Sequence, residues 1–118
     1  MNTREVGNNG EEMACQYLAQ NGVKIKERNF WCKLGEIDVI GYDEGYLVFF
    51  EIKYRKNSSK GSAVEAVDYR KQKKICKVAD YYRMIHRLGD NTAIRFDVVA
   101  IDSGEIKWYK NSFDYLAN

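Results

Sequence analysis

The hydrophobic positions of this chain follow two periods, which predict both helices and strands. Helical spacing covers residues 11–20 and 64–87, and a short helix is predicted for 111–116. Alternating or continuous apolar runs predict strands at 23–31, 35–42, 46–54, 93–101 and 105–109. The order αβββαββ predicts one α+β (α/β) domain over residues 1–118, in which a helical crossover brings a later strand back into a mixed central β-sheet.

Charged residues interrupt the two central strands at matching places. The apolar run 46–50 is followed directly by Glu51, Ile52 and Lys53, and Asp38 lies in the preceding strand. A turn of two or four residues between the strands would place Asp38 opposite Glu51 on the same face. Two facing carboxylates repel each other unless a cation lies between them, so the pattern predicts a divalent-metal site.

Two alternatives depend on the strand register and on solvent exposure. The same register pairs Glu36 with Lys53, and these groups together with Asp38 and Glu51 could instead form a surface network of cross-strand ion pairs. A three-residue turn would shift the register by one position and place Phe50 opposite Asp38.

Basic residues are concentrated immediately after the acidic strand. Residues 53–77 contain nine Lys or Arg and two Asp or Glu, a local net charge of +7, whereas the whole chain carries +2. Such an excess is typical of a surface that attracts a polyanion, and nucleic-acid phosphate is the expected partner. A solvated basic helix without a ligand would produce the same count.

Helical phase adds two candidate residues. Asn8 or Asn9 is predicted to cap the first helix, where Glu11 shares the apolar stripe of the helix and points inward. Glu11 could equally serve to complement the helix dipole. Lys71 shares the stripe of the long helix that includes Val67 and Ile85, and its alternative is a packed stem with a solvated head.

Several kinds of chemistry are excluded by composition. His86 is the single histidine, which excludes multi-histidine zinc sites, and no Walker or Rossmann phosphate loop is present. The remaining candidate ligands are oxygen atoms, which suit Mg²⁺ or Mn²⁺. Three cysteines without CxxC spacing, no signal-peptide pattern and no apolar run of membrane-spanning length predict a cytoplasmic protein without a membrane partner.

A set of short motifs carries a resemblance to a known family. They are Gly10-Glu11, Ala14, Tyr17-Leu18, Arg28-Asn29, Gly35-Glu36-Ile37-Asp38, the segment 49–55 with Glu51-Ile52-Lys53, the segment 65–67, Lys71, and the segment 95–99. Together they resemble the YraN-like family of small bacterial proteins, which is placed among predicted nucleases of the PD-(D/E)xK restriction-endonuclease-like superfamily, with a distant similarity to archaeal Holliday junction resolvases. The resemblance implies a three-layer core with helices on both faces of the sheet.

The resemblance also implies roles for individual residues. Asp38 and Glu51 would be the metal-binding acids, joined by the carbonyl of Ile52, Lys53 the catalytic lysine, and Glu11 an additional helical acid of the site. Mg²⁺, or alternatively Mn²⁺, would be the cofactor. The segment Gly35-Glu36-Ile37-Asp38 departs from the superfamily pattern in having no proline before the acid, and this is the usual form in the YraN-like branch.

The function predicted from these residues is Mg²⁺-dependent endonuclease cleavage of nucleic acid, with DNA favoured over RNA. The residues expected to contact phosphates are Arg55, Lys56, Lys60, Lys71, Gln72 and Lys74. A homodimer is a further expectation from the resolvase-like relatives. The alternatives are an inactive nucleic-acid-binding or adaptor module that keeps a nuclease fold, and a structural partner that associates through aromatic residues near the C-terminus.

Overall fold

The computed structural model describes residues 3–55 and 67–116, with side chains described for 10–54 and 67–116. Its elements occur in the predicted order αβββαββ: α1 (Thr3–Gln20), β1 (Lys24–Cys32), β2 (Gly35–Asp43), β3 (Tyr46–Arg55), α2 (Tyr69–Ile85), β4 (Ile94–Asp102) and β5 (Glu105–Phe113). The prediction of a mixed α+β fold is therefore confirmed.

The five strands form one open sheet in the order β1-β2-β3-β4-β5. Strands β3 and β4 are parallel, and the other neighbouring strands are antiparallel. Parallel neighbours need a long crossover, and the chain between β3 and β4 contains α2. This arrangement confirms the predicted meander followed by a helical crossover.

The turn between β2 and β3 fixes the register of the central hairpin. Glu44 and Gly45 both have positive φ, 53° and 85°, as the two central residues of a type I′ turn require. The ladder then pairs Asp43 with Tyr46 and continues to Val39 with Phe50. The predicted register is correct over this stretch. Residues 38 and 51 fall just beyond the last ladder pair between the described parts of these strands.

Alternate residues of β3 belong to different layers of the core. Leu47 and Phe49 pack with the α2 residue Tyr82, whereas Val48 and Phe50 pack with residues of α1. Because successive side chains of a strand point to opposite faces, α1 and α2 cover opposite faces of the sheet. The expectation of a central sheet with helices on both faces is confirmed.

The predictions for the start of the first helix and for a helix over 111–116 are wrong. Helix α1 begins at Thr3, so Asn8 and Asn9 lie inside it, which costs little because ordinary residues differ by less than about 1 kcal/mol in helix propensity. The predicted helix 111–116 is not formed, because residues 111–113 continue β5. The backbone N–H of Asn111 donates a 2.9 Å hydrogen bond to Oδ1 of Asp97, which holds this segment against β4.

Helix α2 starts later than its apolar stripe predicts. Asp68 is the N-cap residue and accepts a 2.9 Å hydrogen bond from the backbone N–H of Lys71, so Val67 is buried but lies outside the helix. Residues 64–66 of the predicted helix lie outside the described residues. Ile85 was expected to face the core, yet it is 45% exposed at the end of the helix.

The cysteines agree with the predicted reduced thiols. Cys15, Cys32 and Cys76 are all buried and free. Neither described helix has the length and apolar character needed to cross a membrane.

Candidate metal and nucleic-acid site

Strand β2 parts from β3 at Asp38. The pairing of β2 with β1 runs from Gly35 to Tyr42, whereas its pairing with β3 covers only residues 39–43. At the junction Oδ2 of Asp38 accepts a 2.8 Å hydrogen bond from the backbone N–H of Ile52. The N–H and C=O of one residue in an extended strand point to the same neighbour, so the Ile52 carbonyl also points toward the gap beside Asp38.

Three acidic side chains meet at this junction. Glu11 of α1 and Glu36 and Asp38 of β2 each bring one carboxylate oxygen within 4.8 Å of the other two. Glu36 is exposed, while the other two are half-buried. Carboxylate oxygens at this spacing are hard donors from different chain segments, which is the chemistry that Mg²⁺ or Mn²⁺ requires. The donor set therefore fits such an ion.

Strand β1 holds Glu11 in place. The side-chain amide Nδ2 of Asn29 donates a 3.1 Å hydrogen bond to Oε2 of Glu11. Asn29 has a φ of 55°, a left-handed conformation that asparagine tolerates better than most residues. The next residue of α1, Glu12, is exposed and pairs with Arg28 at 2.7 Å. The prediction that Glu11 lies on the inward side of the helix, with Glu12 turned away from it, agrees with this geometry.

The surroundings of Asp38 disfavour the charged form of its carboxyl group. Burial and then the nearby charge of Glu51 raise the pKa of Asp38 from 3.8 to about 7, with smaller contributions from Glu11 and Glu36. The hydrogen bond from the Ile52 N–H acts in the opposite direction. Near neutral pH the carboxyl group is thus poised between its protonated and charged forms, and a bound cation would favour the charged form.

Glu51 has two lysine partners. Its side chain is buried, and its Oε1 lies 3.6 Å from Nζ of Lys53 and 3.4 Å from Nζ of Lys71. Lys53 follows two positions later in β3, and Lys71 comes from the first turn of α2. Glu51 therefore faces α2, whereas Asp38 joins an acid of α1, and the two carboxylates influence each other electrostatically at the junction.

The residues predicted to contact nucleic acid lie on α2, at the end of β3 and outside the described residues. Lys74 is exposed on α2, and Nε2 of Gln72 donates a 2.9 Å hydrogen bond to the carbonyl of Val67, next to the helix cap. Arg55 ends β3. Lys56 and Lys60 lie outside the described residues.

Comparison with known proteins assigns the chain to a family. A family model described as Uncharacterised protein family UPF0102 matches residues 10–101. The chain belongs to UPF0102. The match includes both the acidic residues at the strand junction and the two lysines at Glu51.

Individual UPF0102 proteins are similar over almost their whole length. A UPF0102 protein of Lachnoclostridium phytofermentans is 45% identical over 114 residues, which cover 97% of each chain. One of Legionella pneumophila strain Corby is 41% identical over 95% of this chain and 97% of its own length. One of Fusobacterium nucleatum is 43% identical over 94% of this chain and 92% of its own length.

Two residues of the junction were missed as site residues. Glu36 was expected to face Lys53 but meets Glu11 and Asp38, and its i, i+2 spacing from Asp38 was the available signal. Asn29 belongs to a motif of the family resemblance, Arg28-Asn29, but nothing in the sequence places it beside Glu11, because the contact joins a strand to a helix 18 positions away.

A second group of charges was also missed, and it is structural. Nη2 of Arg95 lies 2.7 Å from Asp43 and 2.8 Å from Asp97, and Nε1 of Trp108 donates a 2.9 Å hydrogen bond to Asp97. All three charged side chains are buried. The group ties β4 to the β2–β3 turn and to β5, since a buried carboxylate needs such partners.

Proposed function

We propose that this UPF0102 protein is a metal-dependent endonuclease with a restriction-endonuclease-like fold, which hydrolyses phosphodiester bonds in nucleic acid, with DNA favoured over RNA. The observation that carries the proposal is the position of Asp38 at the strand junction. Its carboxylate meets Glu11 and Glu36, while the next strand presents Glu51 with the ammonium group of Lys53. Acids and a lysine on neighbouring strands are the groups that metal-assisted phosphodiester hydrolysis needs.

The residues that would hold Mg²⁺ or Mn²⁺ are Asp38, Glu51 and the carbonyl of Ile52, with Glu11 and Glu36 adjoining them. When bound, such an ion polarises the scissile phosphate and lowers the pKa of a coordinated water. The hydrogen bond from the Ile52 N–H holds the Asp38 carboxylate in one orientation for this purpose.

The chain's own residues supply charge and orientation. The Lys53 ammonium, half-buried beside Glu51, offsets negative charge that develops on the phosphate in the transition state. Glu11, held by the Asn29 amide, would orient the attacking water or hold a second ion. Lys71, Gln72 and Lys74 line the start of α2, where they would contact flanking phosphates together with Arg55, Lys56 and Lys60.

The ion pairs of Glu51 favour a second candidate function. Lys53 and Lys71 both approach one oxygen of this acid, so its charge is compensated without a metal. An inactive nucleic-acid-binding or adaptor module would keep this arrangement as a structural feature. The two functions share a surface and differ in whether cleavage occurs.

Cleavage assays on a panel of nucleic acids separate the two functions. The protein is incubated with Mg²⁺ or Mn²⁺ and with junctions, flaps, nicked and intact duplexes, and single strands of DNA and RNA. We expect cleavage of at least one DNA substrate, its loss in Asp38→Ala and Glu51→Ala, and retention in the control Glu105→Ala, which changes an exposed acid of β5. Nucleic-acid affinity should remain the same or rise in the two site variants.

The outcomes of these assays are distinct. Cleavage that survives both Asp38→Ala and Glu51→Ala overturns the nuclease assignment. Binding without cleavage of any substrate by the unaltered protein favours the adaptor module. Affinity should fall steeply with salt in either case, because each phosphate contact releases counterions.

Two further expectations belong to the same proposal. A two-fold homodimer would place two sites on one branched substrate, and light scattering of the purified protein tests this oligomeric state.

A cytoplasmic location is supported by the free cysteines Cys15, Cys32 and Cys76, which are typical of a reducing compartment.

A further inference from the structure

Gly10 occupies a helical position where its backbone does not require glycine. It lies within α1, and it is not among the described glycines with a left-handed backbone. Glycine is a poor helix former, so another constraint must favour it here. That constraint is the ring of Tyr54: a Cβ atom at position 10 would coincide with the hydroxyl end of this ring. Gly10 is buried beneath it.

Tyr54 connects this contact to the strand that carries Glu51 and Lys53. It follows Lys53 in β3, and its ring reaches α1 on the face of the sheet opposite α2. Burial, and then the charge of Glu11, raise the pKa of the Tyr54 hydroxyl. The ring thus lies on the residue before Glu11 and close to the Glu11 carboxylate itself.

We infer that Tyr54 is a positioning residue of the metal site, which fixes the turn of α1 that carries Glu11 by seating its ring on Gly10. This inference rests on the proposed function. The core contacts of α1 at Ala14 and Leu18 lie one and two turns beyond Gly10. Without Tyr54, the described polar contacts that hold this turn to the sheet all come from β1: Asn29 binds Glu11, and Arg28 pairs with Glu12.

A metal site requires that the chain segments that carry its ligands, such as the turn with Glu11, are held firmly in place. Ligand atoms must be placed within a few tenths of an ångström, and loss of the groups that orient a ligand costs about 10- to 100-fold in metal affinity. Tyr54 and Asn29 approach the Glu11 turn from β3 and β1, the two strands on either side of β2. The two contacts together fix the Glu11 carboxylate relative to Glu36 and Asp38.

The first test is Mn²⁺ titration of the protein by calorimetry without nucleic acid. We expect Tyr54→Ala to weaken Mn²⁺ binding about 10- to 100-fold. Tyr54→Phe keeps the ring and should retain most of the affinity. The matched control is Tyr46→Ala, at the other end of β3, where a tyrosine of similar exposure packs on Arg95.

The second test separates positioning from general loss of structure. Gly10→Ala should displace the Tyr54 ring and weaken Mn²⁺ binding as Tyr54→Ala does, while α1 stays helical by circular dichroism because alanine favours helix. Glu11→Gln should cause a similar loss, and the double variant Glu11→Gln with Tyr54→Ala should lose little more than either single one.

Each outcome decides one question. Unchanged Mn²⁺ affinity in Tyr54→Ala, or losses that add in the double variant with Glu11→Gln, overturns the inference while leaving the nuclease proposal in place. A protein whose Mn²⁺ affinity falls in both Glu11→Gln and Tyr54→Ala, but which cleaves no substrate, refutes the nuclease and supports the positioning role. A protein that does not bind Mn²⁺ at all refutes both.

Discussion

Nζ of Lys71 lies 3.4 Å from Oε1 of Glu51, and this contact joins the start of α2 to the strand that carries the candidate site. The same oxygen is 3.6 Å from Lys53. A buried carboxylate with two ammonium partners keeps one of them when the other is removed. The free energy of unfolding of the protein should therefore depend on the two lysines together, more than on either one alone.

A double-mutant cycle tests this dependence. Lys53→Met and Lys71→Met should each cost about 1 kcal/mol in free energy of unfolding or less. The double variant should cost about 3 kcal/mol, because Glu51 is then buried without a positive partner. Urea unfolding of the four proteins measures the coupling, and losses that add to within about 0.5 kcal/mol would contradict it.

Asp38 should make the metal-free protein less stable as pH rises. Its pKa is about 7 in the folded protein against 3.8 ordinarily, so the folded state binds more protons between these values. The free energy of unfolding contributed by this group therefore falls from about pH 4 to about pH 7 and is level above. Asp38→Asn, which can still accept the Ile52 hydrogen bond, should remove this fall.

Urea unfolding with a chelator at pH 5 and pH 8 provides the measurement. At pH 8 we expect Asp38→Asn to be more stable than the unaltered protein by about 1 to 2 kcal/mol, with a smaller difference at pH 5. Equal stability of the two proteins at both pH values would show that Asp38 is not destabilised by its acidic neighbours.

Metal binding should release a proton from the same group. Asp38 is protonated in part of the molecules near neutral pH, and only the carboxylate binds a hard cation. Mn²⁺ affinity should therefore increase between pH 6 and pH 8. Calorimetry at pH 6.5 in two buffers of different ionisation enthalpy measures the released protons, and Asp38→Asn serves as the control. Binding with no proton release at this pH would contradict the prediction.

The buried group around Arg95 should be essential for folding. Arg95→Met leaves Asp97, which has no exposed surface, and Asp43 without the guanidinium between them. The expected cost is about 3 to 5 kcal/mol in free energy of unfolding. Arg28→Met is the matched control, since it removes an exposed pair with Glu12 and should have a much smaller effect. Similar urea midpoints for the two variants would contradict this account.

The order and type of the elements were predictable because they depend on local patterns. Hydrophobic periodicity identified both helices and all five strands. The sequence left two registers open for the central hairpin, and the turn at Glu44-Gly45 decides between them in the structure. The boundaries were less accurate where a single contact decides them. Asp68 delays the start of α2, and Asp97 keeps residues 111–113 extended.

The sequence by itself determined the mixed α+β fold and the candidate residues Asp38, Glu51 and Lys53, because hydrophobic periodicity and residue spacing are local properties of the chain. Tertiary structure decided which groups meet. It placed Glu36 with Glu11, gave Glu51 a lysine from α2, and set the Tyr54 ring on Gly10. These contacts depend on where β2 parts from β3 and on how each helix docks, which are properties of the packed sheet and not of any one segment.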